Sequence, residues 1–285
     1  APRELGFYDL RQDDVMPRQI ALAKAAGLFG FCYYYYWFNG RRLLEAPTER
    51  MLADPDLDFP FCLMWANENW TRTWDGLERD VLMSQDYRDS DDAALIDDLA
   101  RHFVDPRYIR VAGRPLFFLY RPGNVPDAAE TIARWRALFR ERHGLEPFIL
   151  MAQGFGDVDP RPFGLDGAIE FPPHKLCQGM EDINASVEIL DPAFEGRVLD
   201  YDAVIRRARD EAPPPYPLIR TVAPSWDNEA RRPGRGTTIH GSTPAKFEGW
   251  LRESIAFARA NRFEGEAFVA VNAWNEWAEG AYLEP

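Results

Sequence analysis

The sequence predicts an α/β protein built as a (β/α)8 TIM barrel, and three observations carry that expectation. Short apolar runs alternate with amphipathic stretches along the whole chain, and strict alternation favours a parallel sheet. No apolar run is followed by Gly-x-Gly-x-x-Gly or a Walker loop, which argues against a nucleotide-binding open sheet. Each run ends in a polar or aromatic cluster, and chemistry gathered at strand C-termini marks the active face of a barrel. Seven runs read as strands. The expectation is therefore a barrel lacking its first strand and last helix within this chain, with residues 1–285 forming a single domain excised from a longer protein.

Taken in order, residues 14–26 read as a helix, with Asp13 or Asp14 as cap, Pro17 in the first turn and Gly27 as stop. Residues 28–38 are a buried strand ending in aromatics before Asn39-Gly40, and 42–53 look helical despite Pro47. The strand at 60–66 opens into Asn67-Glu68-Asn69-Trp70-Thr71-Arg72-Thr73-Trp74-Asp75-Gly76. An amphipathic helix at 91–104 leads to a strand at 115–120, ending in Arg121-Pro122-Gly123, and a helix follows at 127–143. Strands at 147–153 and 167–171 come next, the second running into Pro172-Pro173-His174. Residues 175–200 read as a long loop, 201–211 as a helix, 217–222 as a strand and 228–243 as another loop. A helix at 244–262 precedes the last strand, 267–273.

The segment after that last strand organises the chemistry. Glu276 and Glu279 lie three residues apart among Trp274, Asn275 and Trp277, and Gly280 offers a turn. Strand alternation puts Asn272, Trp274 and Glu276 on one face, and the turn brings Glu279 to the same end. Cleaving a glycosidic bond needs two carboxyl groups: one protonated, to release the leaving oxygen, and one ionised, as base or nucleophile. Indole rings stack on sugars and raise a carboxyl pKa by excluding water. The plainer reading is a pair of solvated turn glutamates.

Further candidates sit at the other strand ends. Trp65, Asn67, Glu68, Trp70 and Trp74 suit a sugar subsite, against the alternative of a tryptophan-anchored loop that only closes the barrel. Of Tyr36, Trp37 and Asn39, alternation lets some reach the site and sends others to the core. Glu170, His174, Trp226 and Asp227 complete the set.

Composition narrows the function classes. The formal net charge of −13 disfavours nucleic acid as a partner. No apolar run is long enough to span a bilayer. The aromatic share of 14%, with nine Trp, is a rich supply for sugar stacking. Cys32, Cys62 and Cys177 read as buried thiols, which fits a reducing, cytoplasmic compartment. The four histidines show no zinc-binding pair, so neither a metal nor another cofactor is expected.

Five motifs carry a family resemblance: Tyr34-Tyr-Tyr-Trp37-Phe-Asn39-Gly40, Trp65-Ala-Asn67-Glu68-Asn69-Trp70, Glu170-Phe-Pro-Pro-His174, Pro224-Ser-Trp226-Asp227-Asn228, and Trp274-Asn275-Glu276-Trp-Ala-Glu279-Gly-Ala-Tyr-Leu-Glu284-Pro. Together they resemble the WbsX-type family of bacterial polysaccharide and O-antigen gene clusters, whose members are often labelled glycosyltransferases. That family is distantly similar to glycoside hydrolase family 99, the endo-α-mannosidases and endo-α-mannanases. The resemblance implies a barrel fold, a glycan substrate and a retaining mechanism. By motif, Glu279 is the general acid/base, and Glu276 is the base that removes the proton of the sugar 2-hydroxyl to give a 1,2-epoxide-like intermediate. This chain has Ala278 where family 99 usually has His. The expected function is hydrolysis of a bacterial polysaccharide, with glycosyl transfer from an activated donor and non-catalytic carbohydrate binding as the alternatives.

Overall fold

The computed structural model describes residues 3–72 and 77–285. Seven parallel strands form the scaffold: β1 (Phe31–Phe38), β2 (Phe61–Trp65), β3 (Arg114–Leu119), β4 (Phe148–Gln153), β5 (Gly167–Glu170), β6 (Leu218–Val222) and β7 (Val269–Val271). Each is hydrogen-bonded to the next in chain order. The α-helices among the described residues are α1 (Val15–Ala25), α2 (Ala46–Ala53), α3 (Asp89–Phe103), α4 (Ala128–His143), α5 (Tyr201–Asp210) and α6 (Pro244–Ala260).

The middle strands are buried at every position, which is why Phe61-Cys-Leu-Met-Trp65 and Phe148-Ile-Leu-Met-Ala152 read as unbroken apolar runs. Buried Arg220 of β6 is satisfied by the end of α5: it donates to the Ala208 and Glu211 carbonyls (2.6 and 2.8 Å) and lies over the Phe257 ring. Two helix starts carry side-chain caps, whereas Asp14, expected to cap α1, makes no cap hydrogen bond through its side chain. The Asp200 carboxylate accepts from Asp202 N and Ala203 N, and the Thr243 hydroxyl accepts from Lys246 N.

β1 and β7 are the two edges of the parallel array and do not pair with each other. The sheet nevertheless curls far enough for their ends to meet through rings, Phe31 against Trp274 (5.4 Å) and Phe29 against Phe268 (6.5 Å). The result is an open TIM-type barrel, as the alternation of strands and helices predicts.

Four local expectations need correction. Residues 42–53 are not one helix: Arg41–Leu43 folds back antiparallel on β1, and α2 starts at Ala46, with Pro47 in its first turn, where a missing N–H costs nothing. Residues 175–200 and 228–243 are not plain loops. Arg197–Asp200 pairs with Thr237–His240, which pairs back on Trp226–Asp227. This small sheet packs through Leu199, Ile239 and Trp226 in a second apolar cluster with Val204 of α5 and Trp250 of α6. β7 stops at Val271, so strict alternation does not extend to Glu276. Finally, Cys62 and Cys177 are buried but Cys32, on the open edge, is exposed; all three are free thiols. Among the described residues no helix is long and apolar enough to cross a membrane.

Candidate active site

The polypeptide after β7 forms a small hairpin. Asn275–Glu276 pairs antiparallel with Ala281–Tyr282 across the turn Trp277–Glu279, and Gly280 closes it at φ 59°, a left-handed conformation that suits glycine. Trp277 stacks on Tyr282 at 4.0 Å. Behind the turn the Glu284 carboxylate, 1% exposed, accepts from Tyr8 Oη (2.8 Å), Gln19 Nε2 (2.8 Å) and Trp277 Nε1 (3.1 Å), tying the motif to α1. In front, Ser225 Oγ donates to the Gly280 carbonyl, and a Cβ at Gly280 would stand 3.1 Å from Asp227. The two glutamates are therefore fixed from both sides.

Glu276 and Glu279 line a cavity of about 480 Å³ at the C-terminal end of the strands. Tyr34, Tyr36, Trp70, Tyr120, Phe171 and His174 give it aromatic walls, and Glu68, Asn69, Thr71, Arg231 and Asn272 give it polar ones. Its size and mixed lining are those of a small-ligand site. A smaller cavity of about 160 Å³ lies outside the sheet, between α3, α4 and the 85–88 segment. Of the carboxylates lining it, Asp89 and Asp92 pair with Arg134, Asp86 pairs with Arg88, and Asp91 accepts from Trp37 Nε1.

The electrostatics separate the titrating groups. Burial and the neighbouring Glu276 charge push the Glu279 carboxyl up to about 7, against the opposing pull of Arg231 and Arg232. Burial raises Glu68 as well, opposed by its ion pair with Arg121. His174 stacks between Phe155 (4.4 Å) and Phe171 (5.6 Å), and burial pulls it down to about 4, which keeps it neutral. Burial and the Glu276 charge lift the Tyr36 phenol to about 12. Among the described residues no three His, Cys, Asp or Glu side chains gather as metal ligands.

Of the residues the sequence nominates, Tyr36, Glu68, Trp70, His174, Glu276 and Glu279 line the cavity. The others are placed elsewhere. Trp37 is on the outer face of β1, stacked on Tyr35 and donating to Asp91 of α3 (2.5 Å). Trp65, paired in register with Tyr35, also points outward, onto Trp135 of α4 (5.6 Å). Asn67 is fully buried and clamps two loops: its Nδ2 donates to the Arg121 carbonyl, and its Oδ1 accepts from Arg121 N (both 2.8 Å). Asn39 turns at φ 49° toward Asp86. Glu170 is wholly buried, accepting from Lys175 (3.1 Å) and Thr221 N (3.2 Å). Trp226 is buried with its ring near-perpendicular to that of His174 (6.0 Å), Asp227 accepts from Glu229 N (3.0 Å), and Asn275 faces Tyr8 (3.4 Å). Trp74 lies outside the described residues.

The cavity also holds residues that the sequence did not nominate. Tyr34 was reachable by counting back two from Tyr36. Phe171 follows directly on β5, and Tyr120 on β3. Arg231 carried no signal: it arrives from the polar 228–236 segment, donating to Glu276 Oε1 (3.1 Å) and lying 3.3 Å from Glu279 Oε1.

Comparison with known proteins agrees with this architecture. A glycoside hydrolase-like protein superposes with a TM-score of 0.65 at 15% identity, covering 98% of this chain and 80% of its own. The family 99 endo-α-mannosidase of Bacteroides thetaiotaomicron superposes at 0.59 with 13% identity, covering 100% of this chain and 73% of its own. The same enzyme in complex with bis-tris propane gives 0.57 and 16%, covering 100% and 77%. At such identities the likeness is one of fold. Two proteins from strains of Xanthomonas campestris pv. campestris, both described as uncharacterized protein WxcX, are 43% identical over 284 residues. The match covers 100% of this chain and 41% of theirs, so the chain spans about two fifths of the length of these relatives. The family model for glycosyltransferase WbsX matches residues 1–285, and the chain belongs to that family.

Proposed function

We propose that this chain is the catalytic barrel of a retaining glycoside hydrolase that cleaves a bacterial polysaccharide or O-antigen-type glycan. The observation that carries the reading is the carboxyl pair in an aromatic cleft: Glu279, with its pKa raised to about 7, stands beside Glu276 among Tyr34, Tyr36, Trp70 and Tyr120. An acid that keeps its proton near neutral pH, next to a second carboxyl group, is what glycosidic cleavage requires.

In this reading Glu276 takes the proton of the 2-hydroxyl and O2 attacks C1. The C1–O bond to the leaving sugar breaks as Glu279 protonates the departing oxygen, leaving a 1,2-anhydro sugar. Glu279, now a carboxylate, removes a proton from water, which opens the epoxide at C1. Glu276 returns its proton to O2. Two inversions at C1 give net retention. Tyr36, Trp70 and Tyr120 supply stacking faces, and neutral His174 offers a hydrogen bond without adding charge.

The family's description favours a second reading, glycosyl transfer. A nucleotide-sugar donor needs cations for its diphosphate, whereas Arg231 in this cavity is engaged by Glu276 and Glu279. The test is incubation with a panel of O-antigen and capsular polysaccharides, with and without nucleotide sugars. New reducing ends without any nucleotide sugar support hydrolysis. Chain growth that depends on a nucleotide sugar supports transfer, and binding without turnover would reduce the site to a lectin.

A further inference from the structure

We propose that Arg231 is a positioning residue that gives the two glutamates their different jobs, holding Glu276 ionised as the base so that the proton of the pair stays on Glu279. The inference rests on the hydrolase reading above and deepens it.

The asymmetry is geometric. One guanidinium spans both carboxyl groups but treats them differently. Its Nη2 donates a hydrogen bond to Glu276 Oε1 at 3.1 Å. Its Nε lies 3.3 Å from Glu279 Oε1 yet makes no hydrogen bond. A charge-assisted hydrogen bond favours the ionised acceptor. Glu276 thus receives both charge and a hydrogen bond from Arg231, and Glu279 receives charge alone.

The side chain is delivered by a built segment. Between the strands Trp226–Asp227 and Thr237–His240, the Glu229 carboxylate accepts from Gly234 N and Gly236 N, and Asn228 Oδ1 accepts from Thr237 N (2.7 Å). A Cβ at Gly236 would stand 2.5 Å from that carboxylate, so the segment closes only around glycine. Arg231 N itself donates to the Asn228 carbonyl (3.0 Å). The same hairpin touches the acid's own turn where Ser225 meets Gly280. Arg231 and the two glutamates therefore sit on two hairpins docked against each other, and their relative placement is fixed before any substrate arrives.

Other titratable and charged groups face the pair: Tyr34 and Tyr36 from β1, Tyr120 after β3, His174 after β5, Arg232 beside Arg231, and the Glu68–Arg121 ion pair across the cleft. Tyr34, Tyr36 and Tyr120 stay protonated far above neutral pH, and His174 stays neutral down to about 4. Arg232 adds positive charge at Glu279.

The test is a carbon-13 NMR titration of the glutamate side-chain carboxyls in the whole chain, for the unmodified protein, Arg231→Lys and Arg231→Gln, with Glu276→Gln and Glu279→Gln for assignment. In the unmodified protein one carboxyl of the pair should titrate near neutral pH, and it should be that of Glu279. In Arg231→Gln the step should move up by at least one pH unit, and both carboxyl signals should shift through it together, because the proton is then shared. Arg231→Lys should fall between, with the charge restored but not the fork. Where a glycan is cleaved, the alkaline limb of kcat/KM should move with the titration. An Arg231→Gln protein of normal thermal stability whose two carboxyls titrate as in the parent would overturn the proposal. A chain with the predicted titrations that cleaves no glycan would leave the role of Arg231 standing and refute the hydrolase reading instead.

Discussion

Glu279→Gln should make the fold more stable at alkaline pH while removing its acid. The Glu279 carboxyl is raised from its ordinary 4.5 to about 7 in the folded chain. Between those pH values the unfolded chain has lost this proton and the folded chain has kept it, so stability falls as pH rises through the window and levels off above it. At about 1.36 kcal/mol per pH unit the difference is about 3 kcal/mol. The side chain is 24% exposed, and solvent screening reduces this to roughly 2 kcal/mol. Gln has nearly the same shape and no charge to desolvate. For a 285-residue chain, an unfolding entropy of about 2 cal/mol/K per residue turns that gain into about 3 °C. Thermal melts of both proteins, followed by circular dichroism, should therefore coincide near pH 4.5 and separate by about 3 °C at pH 8.5, with the variant higher. A pH-independent gap, or a variant that melts lower at pH 8.5, would refute the assignment of the raised carboxyl to Glu279.

Lys175→Met should cost about 3–5 kcal/mol in chemical unfolding, because it leaves the fully buried Glu170 carboxylate without its lysine. Since burial already raises the Glu170 pKa, the loss should deepen as pH rises above the carboxylate range. Glu284→Ala strands the Tyr8, Gln19 and Trp277 donors and should cost about 2–4 kcal/mol. It should also lower turnover, by loosening the turn that carries Glu279. Trp37→Phe should lower stability by about 1 kcal/mol through the lost Asp91 bond, with glycan affinity unchanged by calorimetry. Trp70→Ala should lower affinity about tenfold, at the usual worth of an aromatic contact.

The barrel was legible in the sequence because its middle strands are covered on both faces, and continuous burial writes continuous apolar runs, as in β2 and β4. The small sheet joining Arg197–Asp200 to Thr237–His240 was not. Its strands are short and half polar, and its pairing spans about forty residues of chain. The site shows the same division. Glu276 and Glu279 stood out through their order after an apolar run, and both line the cleft. A polar or aromatic residue at a strand end was a weaker guide, because period two sends neighbours to opposite faces. Tyr36 faces the cleft and Trp37 faces α3; Trp65 follows Tyr35 outward through the parallel register. Asn67 and Glu170 looked chemical because they are polar, yet each is a buried brace. Arg231 was invisible because its placement depends on the Trp226–His240 hairpin, a feature of the fold with no local periodicity.

The central claim is that Glu276 and Glu279 are the working pair, and the most direct measurement is turnover by Glu276→Gln and Glu279→Gln on a polysaccharide that the unmodified protein cleaves. Both should fold normally by circular dichroism, and each should lose at least a hundredfold in kcat, within the usual reach of a general acid or base. Glu279→Gln should regain much of its first step on an aryl glycoside whose leaving group needs no proton, whereas Glu276→Gln should not. Retention of more than a tenth of the parent kcat by either folded variant on the natural polysaccharide would contradict the account.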